Sequence, residues 1–243
     1  MKNSSSNQTH LVLGVEKRGS NTFFSSLLSR LGCSSFSVLI NTLMLSIFVS
    51  LGASSAYGNA KDSIPDSTKK MAVAYFAGGC FWCMEEAFEK IEGVTSAVSG
   101  YTDGVKKSPT YKEVASGKTK YTEAVKVSYD PKIVSYEKLL GHFWKNVDPT
   151  AKNRQFCDSG TQYRSGIYPS TDSELKLAKS SLDKVRKLFK EVHTEVKPFS
   201  NFVAAEGYHQ DYYTKNPARY KFYKFRCGRT ARLEEIWKGK IFP

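Results

Sequence analysis

The sequence feature that most constrains the fold is a pair of glycines and a cysteine between a short apolar run and an amphipathic segment. Residues 77–86 read AGGCFWCMEE. The two glycines allow a sharp backbone turn and a close approach of neighbouring chain. A helix that starts here points its free N–H groups towards Cys80, and the helix dipole lowers the pKa of a cysteine at such a position. The junction therefore favours a nucleophilic thiolate at Cys80, with a buried and unreactive thiol as the alternative.

The rest of the chain alternates between strand and helix patterns. Apolar residues recur at helical spacing in residues 81–91, and the alternation in residues 120–129 predicts a strand. Capping residues followed by apolar stripes predict helices in residues 136–146 and 172–191. After Asn201 the sequence becomes aromatic and largely irregular. We predict an α/β fold: a two-layer sandwich with a ferredoxin-like core, a mixed or antiparallel sheet and an irregular C-terminal wrap.

An acidic residue falls on the apolar face of the predicted strand. The period of two places Glu123 on the same side as Val125 and Val127. An acid in this position either lies at the edge of the sheet or occupies a pocket in which desolvation raises its pKa and keeps it protonated. The pattern alone leaves both alternatives open.

The N-terminal quarter of the chain has a different composition from the rest. Residues 31–60 carry no charge and residues 36–53 are strongly apolar, whereas the preceding segment is basic. This order is typical of an export signal or an N-terminal membrane anchor. Residues 61–70 form a polar linker that contains a proline. We predict a signal, anchor or targeting segment in residues 1–60, the linker, and one catalytic domain in residues 71–243.

This leader predicts a protein exported to the periplasm or secretory pathway, or anchored in a membrane. The serine-rich, acid-poor composition of the leader makes organelle targeting an alternative. Translation starting at Met71 would instead leave a cytoplasmic protein.

The net charge of +13 does not by itself indicate nucleic-acid binding. Basic residues are spread over the predicted helix faces and residues 215–240, and the sequence has no recognisable nucleic-acid motif. Five cysteines are too few for a disulfide scaffold in a domain of this size. The composition therefore favours a solvated basic surface and an individual chemical role for a few of the cysteines.

Three chemistries fit the Cys80-x-x-Cys83 arrangement in part. Zinc requires four ligands, and the remaining cysteines and histidines are scattered, so we predict no metal site. A thioredoxin-like disulfide exchanger matches the spacing, but Phe81 and Trp82 are bulky residues to stand between its cysteines. A cysteine hydrolase requires a histidine base, and no histidine lies in a convincing loop near an acidic or amide partner.

A fourth chemistry comes from resemblance to a known family. The segments that carry it stand in the family's order from residue 71 to residue 237: GCFWCMEEAFEKIEGV, VSGYTDG, SPTY, TEAVKVSYDP, GTQYRSGIY and EGYHQDYYTKNP. Together they resemble the A type of peptide methionine sulfoxide reductase, in a subgroup with extra cysteines. The resemblance implies an oxidoreductase that repairs oxidised proteins by reducing methionine S-sulfoxide, free or in proteins, in the response to oxidative stress. Such enzymes act on one sulfoxide epimer each.

The resemblance also implies catalytic roles for individual residues. Cys80 corresponds to the nucleophile that attacks the sulfoxide sulfur, and Glu123 to the general acid. Tyr111 and Tyr163 correspond to tyrosines that hydrogen-bond the sulfoxide oxygen, and Asp158 to an acid that helps to orient that group.

The same comparison implies a substrate pocket and a resolving thiol. Phe81 and Trp82 would hold the S-methyl group of the substrate. After the methionine leaves, a second thiol must attack the Cys80 sulfenic acid to form a disulfide. We expect Cys227 in this role, because the tail beside Gly228 can move, with Cys83 as the alternative.

The implied partners follow from this chemistry. Cys157 borders the predicted site and is either a third candidate for the resolving thiol or a packing residue. An external dithiol of the thioredoxin type would reduce the resulting disulfide, with no other cofactor. We expect a monomer that binds oxidised proteins and no nucleic acid, with membrane contact only through an N-terminal anchor.

Overall fold

The computed structural model describes residues 71–240. The predicted leader and linker lie outside the described residues, and so does the predicted signal, anchor or targeting segment. Within residues 71–240, no helix is both long enough and apolar enough to cross a bilayer.

A mixed sheet of six strands forms the centre of this region, in the order β7-β6-β1-β3-β2-β8. All neighbours are antiparallel except β6 and β7, which are parallel. A separate two-stranded ribbon joins β4 to β5. The strands are β1 (Ala72–Gly78), β2 (Val94–Thr102), β3 (Thr122–Tyr129), β4 (Arg154–Gln155), β5 (Asp158–Ser159), β6 (Ser165–Ile167), β7 (Glu195–Val196) and β8 (Phe202–Ala204).

Seven α-helices and a 3₁₀ turn at Thr161–Tyr163 accompany the sheet in the described residues. The α-helices are α1 (Phe81–Glu89), α2 (Tyr111–Ala115), α3 (Tyr136–Lys145), α4 (Asp172–Arg186), α5 (Tyr212–Lys215), α6 (Pro217–Arg226) and α7 (Arg229–Trp237). The predicted α/β class with a mixed sheet is therefore confirmed.

The main core lies between the sheet and helices α1, α3 and α4. Phe76 of β1 stacks on Phe88 of α1 and on Phe143 of α3, with ring centroids 4.8 and 5.4 Å apart. Trp144 donates a hydrogen bond from its indole N–H to the hydroxyl of Ser181 on α4, at 3.0 Å. The apolar stripes of the three helices thus meet one face of the sheet, as their periodicity predicts.

Two details of the prediction are wrong. Helix α4 ends at Arg186 rather than near Glu191. The α-helical hydrogen-bond pattern is replaced there by a tighter turn, in which the N–H of Leu188 bonds to the carbonyl of Val185, three residues earlier. The tail after Asn201, predicted to be irregular, contains strand β8 and helices α5, α6 and α7.

Acidic residues of α1 hold this tail in place. Glu85 is buried and accepts hydrogen bonds from the backbone N–H of Asp211 and from a serine of β2, both at 3.0 Å. Glu86 accepts a hydrogen bond from Tyr220 at 2.6 Å and forms an ion pair with Lys224 at 2.5 Å. The tail is therefore fixed against the helix that begins beside Cys80.

The strand-to-helix junction depends on Gly79. Its φ of +80° lies in the left-handed region that favours glycine. A Cβ at this position would stand 2.4 Å from the Cβ of Gln155. Gln155 is itself held by two hydrogen bonds to the backbone of Asp148, at 2.8 and 2.9 Å. The junction and the loop that carries Asp158 therefore pack against each other through this glycine.

Replacing Gly79 by alanine should lower the free energy of unfolding by about 3 kcal/mol, from backbone strain and overpacking together. Gly117→Ala is the matched control, because Gly117 also has a positive φ but an added Cβ meets no atom closer than 3.4 Å. It should cost about 1 kcal/mol, the strain alone. Urea unfolding of both variants checks this, and equal losses would show that contact with Gln155 does not matter.

Candidate active site

The predicted catalytic and substrate-binding residues all line one cavity of about 90 Å³. Its walls come from the start of α1, the start of α2, strand β3, the β5 ribbon, the 3₁₀ turn and helix α6. The lining residues are Cys80, Phe81, Trp82, Tyr111, Glu123, Asp158, Tyr163 and Tyr223. The structure therefore brings these side chains together from six separate elements.

Glu123 is buried at the floor of this site, with 2% of its surface exposed. Its carboxyl group accepts a hydrogen bond from the backbone N–H of Phe81 at 3.1 Å. Burial raises the pKa of Glu123 to about 8, and the charge of Asp158 acts in the same direction. The second of the two alternatives for this acid, a pocket that keeps it protonated, is the one that the structure shows.

Cys80 precedes the first residue of α1, as the sequence predicts. Its thiol is only 6% exposed, and burial raises its pKa well above the ordinary value. The expectation that the helix N-terminus would lower this pKa is therefore wrong for the resting protein. The first N–H of the helix, that of Phe81, is bonded to Glu123, and desolvation of the thiolate outweighs the dipole.

Cys83 lies one turn along α1 from Cys80 and is equally buried, at 4% exposure. A hydrogen bond with the Cys80 side chain lowers the pKa of Cys83, and the charge of Arg229 acts in the same direction. Of the two thiols, Cys83, beside the cation, therefore ionises more readily than Cys80.

Arg229 is a buried cation that the sequence analysis missed. Its guanidinium group donates hydrogen bonds to the carbonyls of Gly78 and Asn146, at 3.5 and 2.6 Å, and to the sulfur of Met84 at 3.2 Å. These are uncharged acceptors, so its charge acts on the nearby ionisable groups. It lowers the pKa of Cys83 and opposes the burial that raises the pKa of Asp158.

Two tyrosines contribute phenol groups to the cavity. Burial raises the pKa of Tyr111 to about 12, although a hydrogen bond from Tyr163 opposes this. Burial also raises the pKa of Tyr163. Both phenols remain protonated at neutral pH, and the O–H of Tyr111, which accepts the bond from Tyr163, is available as a hydrogen-bond donor.

Tyr223 also lines the cavity, and the sequence analysis did not single it out. Its hydroxyl donates a hydrogen bond to the carboxylate of Asp158 at 2.6 Å. Tyr223 lies one helical turn before Cys227, so the available signal was the spacing of four residues between a tyrosine and a cysteine. That signal was hidden because the tail was interpreted as irregular.

His209 fixes the aromatic wall of the cavity. The indole N–H of Trp82 donates a hydrogen bond to Nδ1 of His209 at 3.1 Å. The Trp82 ring stacks on that of Tyr212, with ring centroids 3.7 Å apart. Burial lowers the pKa of His209, so its imidazole is neutral at physiological pH and accepts this bond. The motif that contains His209 was recognised, but this role was not.

The remaining predicted residue, Cys227, is not a free thiol in this structure. It forms a disulfide bond with Cys157, whereas Cys80 and Cys83 are free. Cys157 lies next to Asp158, and Cys227 ends the helix that carries Tyr223. The four cysteines of the described region thus form two neighbouring pairs, one buried and reduced, the other oxidised.

A family model described as peptide methionine sulfoxide reductase matches residues 72–241. The chain belongs to this family. It is therefore an oxidoreductase of methionine sulfoxide, and the resemblance found in the sequence is confirmed.

Curated relatives agree with this assignment. The chain is 42% identical to the peptide methionine sulfoxide reductase MsrA of Bacillus subtilis over 176 residues, which cover 71% of this chain and 99% of the relative. It is 43% identical over 183 residues to the MsrA/MsrB protein of Vibrio cholerae, covering 74% of this chain. The match spans about half of that longer relative, 48% of its length.

Solved structures show the same fold. The reduced form of Mxr1 from Saccharomyces cerevisiae has a TM-score of 0.57 and 38% identity, with 60% of this chain and 86% of that chain covered. Methionine sulfoxide reductase A of Corynebacterium diphtheriae has a TM-score of 0.56 and 31% identity, with 60% and 76% covered.

The raised pKa of Glu123 predicts how stability depends on pH. A carboxyl group whose pKa rises from 4.5 to about 8 on folding contributes stability below pH 4.5 that is lost as the pH rises through 8. In Glu123→Gln this pH-dependent loss is absent. The difference in free energy of unfolding between the variant and the parent protein should therefore shift in favour of the variant as the pH rises from 5 to 9.

Urea unfolding of the two proteins at pH 5, 7 and 9 measures this difference. Glu85, whose pKa burial raises to about 7, is present in both proteins and cancels in the comparison. A difference between the two proteins that is the same at all three pH values would contradict the assignment of a neutral Glu123.

Proposed function

We propose that the cavity beside Cys80 reduces the S epimer of methionine sulfoxide, free or in proteins, by attack of the Cys80 sulfur on the sulfoxide sulfur. One observation carries the proposal: a buried carboxyl group that is neutral at pH 7, Glu123, lines the same small cavity as the Cys80 thiol. A sulfoxide oxygen leaves only when it is protonated, and a positioned acid with a pKa near the working pH is suited to this transfer.

The walls of the cavity match the apolar methyl group and the polar oxygen of a methyl sulfoxide. Phe81 and Trp82 offer an apolar surface to the S-methyl group, and the bond between Trp82 and His209 keeps that surface in place. On the polar side, Tyr111 and Tyr163 present phenols that can donate hydrogen bonds to the sulfoxide oxygen. The cavity therefore distinguishes the oxygen from the methyl group, which is the basis for choosing one epimer.

The proton movements start from the thiol pair. When substrate enters, the proton of Cys80 passes to the neighbouring Cys83 thiolate, and the Cys80 thiolate attacks the sulfoxide sulfur. Glu123 gives its proton to the oxygen, which is transferred to Cys80. Methionine leaves and Cys80 becomes a sulfenic acid. The sulfoxide is reduced by two electrons and the Cys80 sulfur is oxidised by two.

The structure changes our order of preference for the resolving thiol. Cys227 is bonded to Cys157, whereas Cys83 is free and in contact with Cys80. We therefore assign the attack on the sulfenic acid to Cys83. A sulfur–sulfur bond forms between Cys80 and Cys83, and the sulfenic oxygen leaves as water with the proton from Cys83. A thioredoxin-type dithiol supplies the electrons for the next cycle.

Assays with the separate S and R epimers of dabsylated methionine sulfoxide and dithiothreitol test the proposed function. The S epimer should be reduced and the R epimer should not, and Cys80→Ser should abolish the activity. Turnover of the R epimer, or full activity in Cys80→Ser, would contradict the proposal.

The same protein preparation distinguishes a sulfoxide reductase from the alternative function, a disulfide exchanger. An exchanger would reduce the disulfides of insulin, whereas both thiols of the CxxC segment are buried in this chain. We therefore expect negligible insulin reduction by protein that is active on the S epimer.

Cys83→Ser tests the resolving step. This variant should still release one methionine per enzyme in a single turnover, at a lower rate because the Cys83 thiolate no longer accepts the Cys80 proton. It should then retain the Cys80 sulfenic acid, because the adjacent thiol is missing. Trapping with a dimedone reagent and mass spectrometry detects that species. Cys227→Ser is the matched control and should still form the bond between Cys80 and Cys83. If Cys227→Ser traps the sulfenic acid and Cys83→Ser does not, the original preference for Cys227 is correct.

A further inference from the structure

Helix α2 is short, so other parts of the molecule must set its position. It spans only the five residues Tyr111–Ala115, and a helix of this length is not stable alone. Thr110 and Glu113 close a capping box at its start, but both belong to the same segment and cannot place that segment against the cavity. Tyr111 lines the polar side of the cavity. The position of its phenol therefore depends on contacts from outside the helix.

Glu206 supplies the contact at the start of α2. One oxygen of its carboxylate accepts a hydrogen bond from the backbone N–H of Tyr111 at 2.7 Å, across 95 residues of sequence. This N–H has no partner within its own helix. Burial works against ionisation of Glu206, but the hydrogen bonds that it accepts, first that of the Tyr111 N–H, bring its pKa below the ordinary value. The acceptor is therefore charged, which strengthens the bond.

The other oxygen of the Glu206 carboxylate is bonded to the sheet. It accepts a hydrogen bond from the hydroxyl of Tyr101 at 2.8 Å. Tyr101 is completely buried on β2 and stands directly opposite Glu123 on β3. The carboxylate thus ties the start of α2 to the strand that lies beside the catalytic acid.

The loop that carries Glu206, between β8 and α5, is itself held on the sheet. The N–H of Ala205 bonds to the carbonyl of Ser99 at 2.9 Å. The side chain of Gln210 bonds to both backbone groups of Ser99, also at 2.9 Å. Glu206 is therefore a fixed anchor rather than an adaptable surface side chain.

The same loop reaches the apolar wall of the cavity by a separate route. The N–H of His209 bonds to the backbone carbonyl of Glu206 at 2.9 Å, and His209 in turn holds Trp82. This connection uses only the main chain of Glu206. Truncation of the Glu206 side chain therefore releases Tyr111 and leaves the support of Trp82 in place.

We propose that Glu206 is a positioning residue for the reduction of the sulfoxide: its carboxylate holds the Tyr111 phenol at the place where the sulfoxide oxygen is bound and protonated. Glu206 is not among the residues that line the cavity, so it acts through Tyr111. This inference rests on the proposed function, because it places the sulfoxide oxygen beside that phenol.

The proposal predicts which kinetic constant changes. As the Cys80 sulfur attacks, negative charge grows on the sulfoxide oxygen, so a hydrogen bond donated to it is stronger in the transition state than in the bound substrate. Loss of its alignment should lower the rate of the chemical step more than the affinity. The contacts of the methyl group with Phe81 and Trp82 already exist in the bound substrate and should persist.

The test measures the first release of methionine from the S epimer of dabsylated methionine sulfoxide, without reductant. Glu206→Ala should lower the rate constant of this burst at least about tenfold and change the half-saturating concentration less than about twofold. Glu206→Gln should keep both within about twofold, because its amide oxygen can accept from the Tyr111 N–H and its amide nitrogen can donate to the Tyr101 hydroxyl.

Glu113→Ala is the matched control. It also removes a carboxylate from the start of α2, where Glu113 accepts a hydrogen bond from the N–H of Thr110 at 2.9 Å. It weakens the cap of the helix but leaves the bond between Tyr111 and Glu206. Its burst rate constant should stay within about twofold of the parent value. An equal fall in Glu113→Ala and Glu206→Ala would show that Glu206 only stabilises α2, and would overturn the proposal.

A double variant shows whether Glu206 acts through the phenol. In the Tyr111→Phe background, Glu206→Ala should lower the burst rate constant less than about twofold further, because a phenol that is absent cannot be misplaced. Additive losses would assign the effect to another group and contradict the proposal. A loss in Glu206→Gln as large as in Glu206→Ala would contradict it too, since it would assign the effect to charge.

Glu206→Asp covers the case in which Glu206→Ala folds poorly, as judged by circular dichroism. It keeps the charge but is one methylene shorter, so it cannot hold Tyr111 and Tyr101 together. Its burst rate constant should fall with little change in the half-saturating concentration, and a parental rate constant would overturn the proposal. Absence of the burst in the parent protein would instead contradict the proposed function itself.

Discussion

The hydrogen bond between the backbone N–H of Phe81 and the carboxyl group of Glu123 is the contact on which the site depends. It joins the first residue of α1 to strand β3 across 42 residues of sequence. One contact therefore sets the distance between the nucleophile, at the residue before α1, and the acid. It also occupies the first N–H of the helix, and the Cys80 thiol beside it stays protonated at rest chiefly because it is buried.

The electrostatics of the site follow from where its cation lies. Arg229 reaches the thiol pair from the side of Cys83, and its hydrogen bonds go to uncharged acceptors. The thiol that ionises more readily, Cys83, therefore stands one helical turn from the reacting sulfur. Cys80 and Cys83 share one proton. Cys80 therefore ionises only when a group in the cavity favours the Cys80 thiolate. In the proposed mechanism, substrate binding and ionisation of Cys80 are coupled in this way.

The sequence predicted the parts of the structure that depend on local pattern. The junction at Gly79, the start of α1 and the apolar-face position of Glu123 could be predicted because each depends on neighbours within a few residues. The tail could not: helix α6 fully buries only Tyr220 and is otherwise aromatic and basic, so it has no clear apolar stripe. Tyr223 and Arg229 enter the site through that tail. The pKa of Cys80 was mispredicted because burial depends on tertiary contacts, which outweigh the helix dipole.

The burial of Cys80 has a consequence beyond the reaction itself. A thiol that forms sulfenic acid in each cycle is at risk of further oxidation to sulfinic acid, which most enzymes cannot reverse, and this risk follows thiolate character and exposure. Here both are low between turnovers, because Tyr223 and the aromatic wall leave 6% of the cysteine exposed and its proton stays in place. The burial that raises the pKa of Cys80 therefore also lowers the reactivity of the resting thiol towards oxidants. The packing of the tail over the cavity through Tyr223 thus helps to protect Cys80 from oxidation between turnovers.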